Sequence, residues 1–383
     1  MPRPFWTLLC LPAIALAGAA PAAAQSAPRV ALGRAEAELA DPFDNVTAVR
    51  ELSDGRVIVA DRFAKTVTLA DFRAGTATAI GREGQGPGEY AFPAGLVAAP
   101  GDTTFLVDPG QRRFLVIGPS GKPTGLVSFP GNMAGLVRVR GSDRQGRIYL
   151  QGSELGGGQP GAALPDSVPV LRWDRARDRI DTLGRIKGPT IQTSTAGSAN
   201  ARAVMMRAQP FSVQDEWTVA PDGRVAVVRA ADYHVEWLAP DGRKVVGPAV
   251  AYQKVPVSQA DKDIFMAAAN NPRGGFRVTV GGPPRGSSAP APRPALSEPD
   301  WPAFKPPFRD GTSLVAPDGT LWVQRYGAAR APLVYDVFDA SGRLARQVTF
   351  PKGARLVGFG ARSVYVATTT EDELETLARY PRP

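Results

Sequence analysis

Short apolar segments alternate with glycine-containing turns along most of the chain. An apolar strand, a tight turn and a second apolar strand recur six times, with turns at residues 54–55, 101–102, 143–146, 222–223, 318–319 and 361–362. Asp and Gly suit these turns because they accept the positive φ that a two-strand connection needs. Val, Ile, Tyr and Trp dominate the flanking segments, as expected for half-buried strands. The pattern predicts six β-hairpins.

Each hairpin continues into further strands. A third apolar segment follows in most units, and a second turn ends it at residues 119–121, 240–242 and 340–342. A fourth strand can follow, as at residues 244–246 and 344–350. The first three hairpin turns lie about 45 residues apart, which is typical of a four-stranded propeller blade. We therefore predict an all-β, six-bladed β-propeller.

The two chain ends are expected to close the ring. The last unit lacks an outer strand, and residues 30–39 are available to supply it. Pairing of these residues with the C-terminal blade would remove an open sheet edge. Helix is nearly absent from the pattern. The best candidate is residues 259–270, with Ser258 as its N-cap.

The first 24 residues read as a secretory signal peptide. Arg3 precedes an apolar run at residues 5–20, and three alanines at 22–24 form a cleavage site. The run is too short for a membrane anchor, and no later stretch is long and apolar enough to span a bilayer. Cleavage removes Cys10, the only cysteine. We expect an exported protein, periplasmic or extracellular, with one propeller domain at residues 25–383.

Three segments interrupt the repeat, at residues 151–166, 187–210 and 256–307. The last contains a Gly/Pro/Ser-rich tract at 281–294 that is expected to be disordered or extended. In strand order, all three leave the blades on the same face. Long loops on a rigid scaffold are where binding usually resides, so this face is the predicted binding face.

Some local motifs resemble a known family. The loop at residues 81–90, the Asp-Gly block at 54–61 and the segment 306–323 resemble the NHL-repeat-like six-bladed propellers of bacterial exported proteins. The resemblance implies a protein that binds proteins, glycans or small ligands. A minority of that family are metal-dependent enzymes, so such an activity is the alternative. The segment after Asp61 departs from the family pattern, which makes the match partial.

One polar residue follows the second strand of each unit on the predicted binding face. These residues are Asp61, Asp108, Gln151, Arg229, Arg325 and Thr368. The set divides into an acidic arc and a basic arc, which suits a zwitterionic or anionic ligand. Alternatively, the aspartates brace their own turns and the arginines extend to solvent. Asp61 and Asp108 could also contribute to a calcium site, although the remaining ligands are not identifiable.

The aromatic and histidine residues restrict the chemistry further. Trp301 lies in the longest insertion, where it would either line a ligand cleft or pin the insertion to the body. His234 is the only histidine, and no nucleophile-elbow motif accompanies it, which argues against a Ser-His-Asp triad. A zinc site built from three histidines of one chain is excluded.

Charge and composition complete the sequence-based prediction. The net charge is +9, but no dense basic run of the kind that binds nucleic acid is present. We predict a monomeric, non-catalytic binding scaffold without a cofactor. Its binding residues would be Asp61, Asp108, Gln151, Arg229, Arg325 and Trp301. Its partner would be a protein, a glycan or a small anion. The alternative is an oxygen-ligated metal-dependent hydrolase or lyase.

Overall fold

The structure is a computed structural model that describes residues 27–130, 138–152, 165–198, 201–270, 279–280 and 299–383. The predicted signal peptide and the tract 281–294 lie outside these residues.

Six antiparallel sheets form the blades, each with strands in sequential order from the centre outwards. Blade 1 contains Val46–Glu51, Val57–Asp61, Thr66–Asp71 and Thr76–Ala79; blade 2 contains Gly95–Ala99, Thr103–Asp108, Arg113–Ile117 and Pro123–Ser128. Blade 3 contains Arg138–Ser142, Ile148–Gln151, Ser167–Asp174 and Arg179–Lys187; blade 4 contains Glu216–Val219, Val225–Arg229, His234–Leu238 and Lys244–Val246. Blade 5 contains Leu314–Val315, Leu321–Gln324, Val334–Phe338 and Leu344–Thr349; blade 6 contains Ala354–Phe359, Ser363–Thr369 and Glu375–Pro381. The predicted six-bladed propeller is confirmed.

The N-terminal segment closes the ring, but it does so across two blades. Ala37–Glu38 pairs antiparallel with Glu375–Pro381 and supplies the missing outer strand of blade 6, as predicted. Arg29–Ala31 instead adds a parallel strand to the outer edge of blade 5. The chain passes between these two positions at Leu32, which is buried in the core between blades 5 and 6.

A separate hydrophobic core fills each of the six blade–blade boundaries. The core between blades 4 and 5, for example, packs Val235 and Trp237 against Phe308 and Phe338. Equivalent clusters lie between the other neighbouring pairs. The tryptophans predicted to be core, Trp217, Trp237 and Trp322, are fully buried. Stability therefore comes from packing between blades, and the centre of the ring is left open.

Aspartate–glycine turns occupy one face of the propeller, which we call the turn face. Asp222 accepts the amide hydrogen of Arg224 at 3.0 Å, and Asp318 accepts that of Thr320 at 3.0 Å. The glycines that follow, Gly223 and Gly319, have φ of +86° and +85°. Only glycine adopts this conformation without strain, which explains the repeated Asp-Gly pair in the sequence.

The long insertions leave from the opposite face, which we call the insertion face. The predicted helix is confirmed as Gln259–Asn270, and the hydroxyl of Ser258 caps it by accepting the amide hydrogen of Asp261. The segment between blades 3 and 4 contains a hairpin of Ile191–Ser198 and Ala201–Ala208. A short third strand from the longest insertion, Thr279–Val280, pairs with Ala201–Ala208. The sequence pattern did not predict this hairpin. Two further strands, Arg82–Glu83 and Glu89–Tyr90, pair within the loop between blades 1 and 2.

Within the described residues, no helix combines the length and the apolar character needed to cross a membrane.

Closure by the N-terminal segment should be measurable as stability. Leu39 is 4% exposed in the core between blades 6 and 1, and its amide donates to the carbonyl of Leu377. We expect Leu39→Ala to lower the free energy of unfolding by about 2–5 kcal/mol in urea titrations, because it leaves a cavity in a closed core. Val30→Ala is the control, because Val30 is 38% exposed and its truncation should cost less than about 0.5 kcal/mol. Equal effects of the two variants would contradict the closure.

Candidate functional site

The centre of the ring is a cavity of about 1940 Å³. Inner strands of five blades line it, together with the loops that enter those strands from the insertion face. A cavity on the axis of a propeller gathers residues that are distant in sequence. Its lining therefore defines the candidate site.

Arg62 stands at the insertion-face end of this cavity. It follows the second strand of blade 1, and its guanidinium carbon lies 5.5 Å from the ring centre of Phe63 and 5.1 Å from that of Phe92. Its Nε atom is buried and has no hydrogen-bond partner in the described part of the chain. Aromatic rings rather than a carboxylate hold this cation. Its charge is therefore available to a ligand.

The longest insertion contributes a second cation, Arg309, as it returns to blade 5. Phe308 pairs with Arg325, and the amide of Arg309 donates to the carbonyl of Gln324 at 2.8 Å. These contacts hold the backbone beside the cavity. Among the described residues, the Arg309 guanidinium has no hydrogen-bond or ion-pair partner, and neither has the neighbouring Asp310 carboxylate.

Arg138, at the start of the inner strand of blade 3, is the third cation. Its Nη1 atom lies close to Gly311, 3.5 Å from the point where a Cβ atom would stand if that residue had a side chain. The Arg138 side chain therefore extends towards the segment that leads into blade 5. Gly311 has φ of +72° and donates its amide hydrogen to Glu216 at 2.6 Å. Arg138 is exposed, and no described residue pairs with its guanidinium.

Two other arginines in the lining are neutralised. Arg140 pairs with the buried Glu216; burial and the neighbouring Arg138 lower the pKa of Arg140 to about 9. Arg355 binds both carboxylate oxygens of Glu375 at 2.7 Å. These pairs bind neighbouring blades together, because Glu216 also holds the blade 5 entry and Glu375 also accepts the amide of Val46.

The cavity is therefore electrically asymmetric. At the insertion-face end, three unpartnered arginines against the one carboxylate of Asp310 leave two positive charges among the described lining residues. At the turn-face end, Arg50 pairs with Asp102 at 2.9 Å, and Glu51 accepts hydrogen bonds from Tyr365 and from the amide of Ala361. This polarity favours entry of an anion from the insertion face.

The predicted ring of binding residues is largely placed elsewhere. Of its six members only Gln151 lines the cavity, where it accepts a hydrogen bond from Trp217 at 3.1 Å. Asp61 and Asp108 are 1% and 0% exposed. Asp61 accepts the amide hydrogens of Asp44, Asn45, Phe63 and Ala64, and Asp108 accepts those of Ala91 and Phe92. Both brace the loops that enter their blades.

The two predicted arginines are engaged in ion pairs. Arg229 binds Asp215 at 2.8 Å and Glu236 at 2.7 Å, while Arg325 lies 3.5 Å from the fully buried Asp336. The second strands of blades 1 to 4 end at the predicted positions themselves, one residue later than the pattern indicated. The side chains therefore remain within the sheets. Their ligand-binding role stays a prediction.

Trp301 takes part in an aromatic cluster outside the cavity lining. The centre of its ring lies 5.5 Å from that of Phe265 in the helix and 6.3 Å from that of Phe211. The Phe211 ring in turn packs edge-on against Tyr326 of blade 5. Beside the cluster, the buried Lys305 binds Asp261 at 2.5 Å and the carbonyl of Gly327 at 2.7 Å. This arrangement matches the interpretation in which the aromatics pin the insertion to the body.

The described residues contain no group of three or more His, Cys, Asp or Glu side chains placed to hold a metal ion. The single histidine, His234, contacts Asp232 at 2.6 Å and lies on the same strand face as Glu236.

Sequence reasoning missed Arg62, Arg138 and Arg309. Arg62 directly follows a predicted residue, so a one-residue extension of the strand would have identified it. Arg309 lies in an insertion and Arg138 opens an inner strand. Nothing local distinguishes these two from other arginines in an arginine-rich chain.

No protein-family model matches this chain, and no curated protein matches its sequence. Solved structures with a similar fold include a candidate exported protein from Bacteroides fragilis, with 10% identity, a TM-score of 0.45 and coverage of 93% of this chain and 99% of that one. A gluconolactonase from Xanthomonas campestris has 14% identity, a TM-score of 0.43 and coverage of 92% and 99%. A calcium-binding regucalcin from Agrobacterium tumefaciens has 11% identity, a TM-score of 0.44 and coverage of 93% and 97%. Similarity this low carries no information on ligand or activity.

The ion pairs of Arg229 generate a pH-dependent prediction. Burial raises the pKa of Glu236, but hydrogen bonds from Lys244 and Arg229 outweigh it and lower the pKa from 4.5 to about 2. The stabilising contribution of Glu236 is therefore full above pH 4.5 and is lost as the pH falls towards 2. We expect Arg229→Gln to raise the Glu236 pKa, as followed by carboxyl NMR.

Arg243→Gln is the matched control, because Arg243 is exposed on the turn face and its one ion pair among the described residues is with Asp241. It should leave the titration of Glu236 unchanged. A Glu236 pKa that does not respond to loss of the Arg229 charge would show that this ion pair does not form in solution.

Proposed function

We propose that this protein is an exported, non-catalytic binding scaffold that takes an anionic ligand at the insertion-face end of its central cavity. The observation that carries the proposal is the set of three arginines, Arg62, Arg138 and Arg309, that line one cavity without a carboxylate partner in the described chain. Planar guanidinium groups bind carboxylates and phosphates through paired hydrogen bonds. Export is inferred from the signal-peptide pattern of residues 1–24.

The contrast with the neighbouring arginines supports this assignment. Arg140, Arg355 and Arg229 all have carboxylate partners at the blade boundaries. A structural role accounts for these three, because each pair joins segments that must stay together. It does not account for cations that face the cavity unpaired, where their mutual repulsion opposes folding. Binding of an anion would relieve that repulsion.

The guanidinium of Arg62 is also preorganised, because two aromatic rings flank it. For Arg309 it is the backbone that is held, by a bridge between Phe308 and Arg325 of blade 5. Ordering a side chain on binding costs about 0.5–1.5 kcal/mol. A side chain that is already held in place loses less conformational freedom when a ligand binds, so this cost is smaller.

The shape of the site favours a small-molecule anion over a protein partner or a metal ion. Small-molecule sites are concave and partly enclosed, as this cavity is. A protein partner would require roughly 800 Å² of complementary surface on each side, and the observations that carry this proposal all lie inside the cavity. For the metal-dependent alternative, Asp61 and Asp108 are occupied by backbone amides, and no specific observation favours it.

Removal of the unpartnered cations should abolish anion binding without unfolding the protein. We would record melting temperatures of the mature protein with inorganic phosphate, citrate, glucuronate and decanoate. At ten times its Kd, a ligand stabilises by about 1.4 kcal/mol. We expect at least one of these anions to raise the melting temperature of the wild type, and the response to disappear in the double variant Arg62→Gln/Arg309→Gln.

The double variant Arg177→Gln/Arg243→Gln is the charge-matched control and should keep the response, because both arginines are exposed outside the cavity lining. Two results would contradict the proposal. One is that none of the four anions stabilises the wild type. The other is that Arg62→Gln/Arg309→Gln responds as the wild type does.

A further inference from the structure

One sector of the cavity wall at the insertion face is apolar. Val168 and Pro165 of blade 3 line it, followed by Pro189, Ile191 and Ala208 of the segment that leads to blade 4. Ile191 and Ala208 are paired residues at the base of the insertion hairpin. Val168 and Ile191 are half-buried, so both retain apolar surface towards the cavity.

The apolar sector lies across the cavity from Arg62. The inner strands follow one another around the ring in blade order, with blade 6 next to blade 1. Blades 3 and 4 are therefore opposite blades 6 and 1. Arg62 belongs to blade 1, so it faces the apolar sector across the opening. The other two unpartnered arginines lie nearer that sector, since Arg138 belongs to blade 3 and Arg309 enters blade 5, next to blade 4.

The dimensions of the cavity point to a ligand with a sizeable body. Ligand sites typically measure roughly 300–1,000 Å³, whereas this cavity measures about 1940 Å³. A small inorganic anion bound at Arg62 would leave the apolar sector in contact with water.

We infer that the ligand is an amphipathic organic anion, with its anionic head at Arg62 and its apolar body against Val168, Pro189 and Ile191. This inference rests on the proposed function and specifies the chemical class of its ligand. A fatty-acid-like carboxylate fits this class. A sugar acid fits less well, because the side chains of Val, Pro and Ile offer its hydroxyl groups no hydrogen-bond partners.

Titration calorimetry with a carboxylate series tests the inference. Acetate, hexanoate and decanoate share one head group and differ in apolar length. Each methylene that becomes fully buried should tighten binding by roughly fourfold. We expect affinity to rise along the series, decanoate to bind at least about tenfold more tightly than decanol, and glucuronate to bind more weakly than decanoate.

Two variants distinguish the contribution of the ligand's apolar body to affinity from that of its anionic head. Ile191→Ser should weaken decanoate by about tenfold and leave glucuronate unchanged, whereas Arg62→Gln should weaken both. Val213→Ser is the matched control, because Val213 is an exposed apolar residue of the same connection between blades 3 and 4 and lies outside the cavity lining. It should bind decanoate as the wild type does.

The outcomes distinguish this inference from the proposed function. If glucuronate binds as tightly as decanoate and Ile191→Ser has no effect, the amphipathic assignment is overturned while anion binding stands. If no carboxylate binds in an Arg62-dependent way, both fail. A steep length dependence that Ile191→Ser reduces and Val213→Ser preserves supports the inference.

Discussion

The structure depends on burial between neighbouring blades. A twisted four-stranded sheet cannot bury either face alone, so each blade packs against the next, and a hydrophobic core fills every boundary. This arrangement is stable only when the ring closes. The N-terminal segment closes it by pairing with blade 6 and by extending blade 5. An open ring would expose the large apolar faces of both terminal blades.

Closure has an electrostatic consequence. Inner strands from all around the ring end at the same opening, and the charges they carry are brought close together. Arg140 is neutralised by Glu216 of the next blade, and Arg355 by Glu375, a carboxylate of its own blade that also accepts the amide of Val46 in blade 1. Arg62, Arg138 and Arg309 have no such partner in the described chain. The same geometry thus produces both the inter-blade ion pairs and the unpaired cations on which anion binding would rest.

The insertions add to this scaffold in two ways. The aromatic cluster around Phe211 and Trp301, with the buried pair Lys305–Asp261, holds the longest insertion on blade 5. Its returning segment then carries Arg309 to the cavity. The hairpin between blades 3 and 4 supplies Ile191 to the apolar wall. Two excursions from the repeat therefore contribute a cation and an apolar wall residue to the cavity.

Local pattern was sufficient to predict the blades, because positive φ at an Asp-Gly turn and alternating burial along a strand are properties of adjacent residues. For the same reason the helix and its Ser258 cap were predicted correctly. The site was not accessible in this way. Asp61 braces a loop because its strand extends one residue further than the pattern indicated. The pairing of Arg138 depends on which carboxylates the closed ring brings near it. Arg140 and Glu216 are 76 residues apart and become partners only because neighbouring blades pack side by side around the axis, so the pairing of such arginines followed from the fold.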